Sequence, residues 1–126
     1  MSNVAARART VLISGASIAG PTLAYWLDRF GFDVTLVERA PAVRSGGYPI
    51  DIRGVATEVV ERMGVWPQIQ AAHIASRTLT FVGALGETIG VVPIYDFQGS
   101  ETADVELPRG DLTRLLYGLT KDGRVR

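Results

Sequence analysis

The sequence predicts an α/β fold organised around a parallel β-α-β unit, and three observations near its start carry the prediction. Residues 10–14 and 33–38 hold short apolar runs, Val11, Leu12 and Ile13 in the first and Val34, Leu36 and Val37 in the second. Such runs, rather than strict alternation, are expected of parallel strands covered on both faces. Between them, over 17–30, Ala19, Leu23, Trp26, Leu27 and Phe30 recur at the i, i+4, i+7, i+8, i+11 spacing of one helix face, so these five form the expected buried stripe. Gly31 then stands where a left-handed residue ends a helix. A crossover of this kind is right-handed in nearly all proteins.

The remaining elements follow in order. Residues 40–54 are rich in proline and glycine, with "RSGGYPIDIRG" at their centre. Tyr48, Ile50 and Ile52 alternate with Pro49, Asp51 and Arg53, which predicts a short two-faced strand within a loop. Residues 55–63 predict a helix with Val55, Val59 and Met63 inward, Glu58 and Arg62 as an i, i+4 pair, and Gly64 as its stop. A second short helix is expected over 66–72. The stretch "RTLTFVGALGETIGVV", residues 77–92, reads as a hairpin turning near Gly83 and Gly86. In "LPRGDLTRLLYGLTKDG", Asp111 is the expected N-cap of a helix burying Leu112, Leu115, Leu116 and Leu119. Gly118 weakens that helix by about 1 kcal/mol relative to alanine. The tail to Arg126 is expected to be coil with little to pack against. Trp26, Phe30 and Trp66 are expected core aromatics, and His73 a polar residue at a helix end.

Composition narrows the function classes. The 126 residues suit one ordinary domain and are short for a complete two-domain enzyme. Thirteen basic side chains balance thirteen acidic ones, so the uniform positive field of a nucleic-acid binder or polybasic membrane-surface protein is not expected. Without cysteine and with His73 alone, thiolate and histidine-cluster metal sites are excluded. Arg7 and Arg9 before an apolar stretch superficially resemble a secretory signal, but Gly15, Gly20, Pro21 and the charges at Asp28 and Arg29 make that stretch a folded element. No apolar run reaches the ~20 residues that span a bilayer. A cytoplasmic protein acting on small molecules, with no nucleic acid, membrane or metal partner, is the expectation.

The segment "GASIAG", Gly15 to Gly20, matches a dinucleotide-binding pattern with its middle glycine replaced. In that pattern the first glycine permits the tight turn, the second admits a pyrophosphate to the backbone, and the third allows close helix-strand packing. Gly15, Ser17 and Gly20 hold these positions. Serine is small, and its hydroxyl could bond a phosphate or cap the helix. The N–H groups of Ser17 to Gly20, at the positive end of the helix dipole, favour an anion. Pro21 sits in the first turn, where a missing N–H costs least. Glu38 closes the second strand 23 positions after Gly15, near the ~20-residue interval at which an acid receives ribose hydroxyls.

With these residues in place, "VLISGASIAGPTLAYWLDRFGFDVTLVERAP" resembles the N-terminus of class A FAD-dependent monooxygenases, the aromatic hydroxylase and tetracycline-inactivating group, and "GGYPIDIRG" and "ELPRGDLTRLL" resemble later segments of it. The resemblance implies a Rossmann-like FAD-binding domain with a parallel β-α-β core and a small β excursion, residues 1–126 forming its N-terminal part. It implies that Gly15, Ala16, Ser17, Ile18, Ala19 and Gly20 line the pyrophosphate, that Glu38 holds the adenosine ribose with Arg39 beside it, and that Arg109 contacts FAD. Gly46, Gly47 and Asp51 would fall toward the flavin and substrate. From the residues alone, Arg39, Asp51 and Arg53 could equally be solvated, Arg109 a surface ion pair, and Gly46 and Gly47 a plain loop. The implied activity is hydroxylation of an aromatic or polyketide-like small molecule through a flavin C4a-hydroperoxide, with NADPH or NADH as transient reductant and no catalytic side-chain triad. Family members are several hundred residues long, so a substrate domain is expected to be absent and the chain to be a fragment whose own activity the sequence leaves open. Two alternatives remain: another FAD-dependent oxidoreductase, or a noncatalytic nucleotide-binding module that works beside a companion chain supplying the missing part.

Overall fold

The computed structural model describes residues 9–43, 46–74, 76–93 and 104–126. The signal-like feature at Arg7 lies outside them. The element order is β1 (Thr10–Ser14), α1 (Ala19–Arg29), β2 (Asp33–Val37), β3 (Pro49–Ile52), α2 (Val55–Arg62), α3 (Trp66–Ala71), β4 (Thr78–Val82), β5 (Thr88–Pro93), β6 (Val105–Pro108) and α4 (Arg109–Lys121). They form two compact units, Met1–Gly47 with Arg109–Arg126, and Tyr48–Pro108. No helix among the described residues is long and apolar enough to cross a membrane.

In the first unit β1 and β2 pair in parallel, Thr10 opposite Asp33 through Ser14 opposite Val37, with α1 as the connection. Gly31 takes φ +80° directly after the helix, a left-handed conformation that a side chain resists. Ile13, Ala24 and Val34 form the buried centre, with Val11, Leu27, Phe32, Leu36 and Val125 packed around it. Helix α4 packs against α1 and buries Leu112 and Leu116. Each such leucine contributes roughly 1.5–3 kcal/mol of transfer free energy. The buried hydroxyls of Thr113 and Thr120 donate to the carbonyls of Arg109 and Tyr117, at 2.9 and 2.7 Å, so neither is left unpaired.

Four expectations for this unit need correction. Helix α1 buries Pro21, Ala24 and Tyr25, whereas Leu23 and Phe30 are exposed. Apolar residues surround this helix, so periodicity could not fix its phase. The small Ala24 faces the strands because its methyl lets the helix backbone approach them. Among the described residues only one face of the β1–β2 pair is covered, and Leu12 and Val37 are exposed on the other. Helix α4 begins at Arg109, which places Asp111 inside the first turn, ion-paired to Arg114, rather than at the N-cap. The tail is also packed. Val125 joins the core, and Arg126 brackets β2, its N–H donating to Val34 O at 3.0 Å and its carbonyl accepting from Leu36 N at 2.6 Å. Arg124 pairs with Asp28 and Arg126 with Asp33.

In the second unit β3 and β6 pair antiparallel, Pro49 opposite Pro108 through Ile52 opposite Val105. Strand β6 was not foreseen, although Val105 and Leu107 are buried and alternate with Glu106 and Pro108 in a period of two. Among the described residues of this unit, Ile52, Val60, Met63, Val65, Ile69, Val105 and Leu107 are the buried apolar ones. Helix α2 turns Val60 inward, while Val55 and Val59 are exposed against expectation. His73 Nδ1 lies 3.0 Å from the Glu106 carbonyl. Strands β4 and β5 form the expected hairpin, closed by Gly83 N donating to Glu87 O at 2.8 Å.

Candidate functional site

The turn between β1 and α1 is built on two glycines with different tasks. Gly15 takes φ +102°, and its N–H donates to Val37 O at 2.7 Å, tying the turn to the end of β2. At Gly20 a Cβ would run into the Gly15 carbonyl oxygen and come within 3.2 Å of Leu36 Cδ1. The first glycine is thus required by backbone conformation, the last by the close approach of helix and turn.

Helix α1 starts at Ala19, and its first intrahelical bond runs from Thr22 N to Ile18 O at 3.2 Å. The N–H groups of Ala19 and Gly20 precede that bond, and Pro21 has none to leave unpaired. The N-cap residue is Ile18, and no side chain caps the helix, so Ser17 does not serve as the cap. Instead Ser17 Oγ accepts a hydrogen bond at 3.2 Å from Arg109 Nη2, the first residue of α4. Gly47, at φ +112°, lies alongside, and a Cβ there would stand 3.6 Å from Arg109 Cβ.

Glu38 uses both carboxylate oxygens on backbone. Oε2 accepts from Ala16 N and Oε1 from Ala40 N, each at 2.8 Å. One acid therefore joins the turn after β1 to the segment after β2. Ala16, Ser17, Glu38, Ala40, Ala42, Val43, Arg109 and Thr113 line a cavity of about 220 Å³. That lies below the ~300–1,000 Å³ of whole-ligand sites, so the cavity is too small to enclose a whole dinucleotide.

The structure thus brings Ala16, Ser17, Glu38 and Arg109 together, with Gly15, Ile18, Ala19 and Gly20 forming the adjoining turn and helix start. Arg39 is exposed and is not among the lining residues. Asp51 lies in the second unit, its carboxylate 2.8 Å from Arg53 Nη2, and Arg53 Nε also reaches Asp104 at 3.5 Å. Thr113, Ala40, Ala42 and Val43 were not singled out from the sequence. Thr113 lies one helical turn beyond Arg109, a spacing that could have found it, whereas small residues in an irregular segment carry no such signal.

The fit to a bound nucleotide rests on these features: a turn in which a side chain at position 20 would clash, helix-start N–H groups that precede the first intrahelical bond, one guanidinium and one carboxylate. Fold and site together form a β-α-β unit whose turn, helix start and cavity have the arrangement of the dinucleotide pattern. Comparison with known proteins sharpens this class. A flavin-dependent monooxygenase from Phoma sp is 42% identical over 115 residues, 88% of this chain and 26% of that protein. An uncharacterised Mycobacterium tuberculosis protein is 43% identical over 119 residues, 90% of this chain and 31% of its own length. Among solved structures, tetracycline destructase Tet(51) superimposes with a TM-score of 0.75 at 36% identity, covering 94% of this chain and 29% of that one. No family model matches the chain. Over most of its length the chain is similar to flavin-dependent monooxygenases, as its motifs indicated, and it spans about 30% of the length of the relatives it matches.

Proposed function

We propose that the chain is part of the FAD-binding domain of a monooxygenase, that it holds the adenosine-diphosphate end of the cofactor, and that the substrate domain lies outside residues 1–126. The supporting observation is that Ala16, Ser17, Glu38 and Arg109, drawn from three separate stretches of sequence, line one cavity at the start of α1. The N–H groups from Ser17 to Gly20 and the Arg109 guanidinium would face the pyrophosphate, where fixed donors and positive charge favour an anion. Glu38 would accept the ribose hydroxyls. A carboxylate has about four lone-pair sites, so Glu38 can do this while keeping the Ala16 and Ala40 N–H bonds. Arg39 would lie beside the ribose, and Gly47 and Asp51 toward the flavin and substrate. Bound FAD would supply oxygen activation, with NADPH or NADH as reductant. The likeness to a tetracycline destructase supports an aromatic or polyketide-like substrate for the whole protein.

The test is FAD retention, read from visible absorption after gel filtration. The chain alone is expected to bind FAD more weakly than a relative of full length. Glu38→Ala is expected to lower the affinity a further ~10-fold, the size of one partly exposed hydrogen bond to a charged group. Unchanged affinity in that variant would remove the ribose role of Glu38.

A further inference from the structure

We infer that Ser17 is a positioning residue, whose hydroxyl orients the Arg109 guanidinium toward the phosphate-facing side of the cavity. The inference rests on the nucleotide reading of that cavity and concerns how its cation is held. At position 17 the pattern has its middle glycine, where a side chain only narrows the approach to the backbone. The serine hydroxyl neither caps α1 nor turns to its own helix; it accepts from Arg109 Nη2 at 3.2 Å, across 92 positions of sequence.

Three physical points make this contact useful to an anion site. Arginine loses much rotamer freedom when it is ordered, so an arginine already held binds its target with less left to lose. The backbone carbonyl of Arg109 accepts from Thr113 Oγ1 at 2.9 Å, which anchors the residue's backbone within α4 but not the tip of its side chain. Ser17 holds the tip. Its hydroxyl is also neutral, so the guanidinium keeps its charge and its other N–H donors. While accepting from Arg109, the same hydroxyl can donate its own proton to a phosphate oxygen, and such chains strengthen one another. A glycine at position 17 would open the backbone approach and lose both functions.

The test uses this chain, with ADP as the probe and the Arg109 Nε–H signal in NMR as a second readout. Ser17→Gly, which restores the three-glycine pattern, is expected to increase Arg109 Nε motion and to weaken ADP binding about fivefold. Ser17→Thr, which keeps a hydroxyl, is expected to restore both. In an Arg109→Ala background, Ser17→Gly is expected to have a smaller effect on ADP, since the part that acts through the arginine is already gone. Equal Arg109 Nε order in wild type and S17G, or an undiminished S17G effect in the R109A background, overturns the inference. Should ADP bind neither wild type nor R109A while Arg109 order still follows residue 17, the positioning contact stands and the nucleotide reading fails.

Discussion

The first turn of the molecule and the β4–β5 hairpin are both strand-turn-element junctions closed by glycine, and they differ in what holds them. At the first, Gly15 donates to Val37 O, Gly20 presses on the Gly15 carbonyl, and Ile13, Ala24 and Val34 are buried beside them. At the second, Leu79, Phe81, Val82, Leu85, Ile89 and Val91 are all exposed, and the turn is closed by bonds among Gly83, Leu85, Gly86 and Glu87. One junction is fixed by packing and the other by cross-strand pairing and local turn chemistry. A ligand that needs backbone donors at fixed positions requires the first kind, because packing removes the freedom that hydrogen bonds to solvent-exposed backbone leave in place.

The contrast predicts unequal costs. Leu116, 2% exposed on α4, supports the unit that carries the cavity, so Leu116→Ala is expected to destabilise the chain by about 3 kcal/mol in urea unfolding. A loss below about 1 kcal/mol would mean that this core contributes no more than a surface. Next comes Gly20→Ala. Its methyl would meet a backbone oxygen rather than the end of a flexible side chain, so the turn itself must shift, at about 2 kcal/mol. The same variant should reduce ADP binding more than an equally destabilising change in α4, because the displaced atoms are those of the cradle.

These particular residues also mark what could be read in advance. The β1-α1-β2 order, the hairpin and the short helices were legible because apolar runs and glycine breaks are local signals. The face of α1 was not. In "AGPTLAYWLDR" apolar residues occupy all sides, and the buried choice of Ala24 over Leu23 depends on how near the strands can come. Strand β6 was hidden because a four-residue alternation directly abuts a helix. Of the cavity, Ser17 and Glu38 were named from motif spacing and Ala16 and Arg109 from the family resemblance, but the Ser17–Arg109 bond joins residues 92 apart and has no signature in either segment. Pairings across such distances follow from the fold rather than from local pattern.

The smallest effects belong to the hairpin, and they sharpen the contrast most. Gly86 takes φ +83° with open space where its Cβ would be, so Gly86→Ala costs only the left-handed conformation, about 1 kcal/mol. Leu85, one residue earlier, is 96% exposed, and its backbone N–H rather than its side chain bonds Glu87 at 3.1 Å. Leu85→Ala keeps that N–H and buries nothing less, so stability should change by under about 0.5 kcal/mol. Amide hydrogen exchange across β4 and β5 is the check, since it reads the hairpin locally. If protection falls as much in L85A as in G86A, the leucine packs against something, and the hairpin is held by burial as the first turn is.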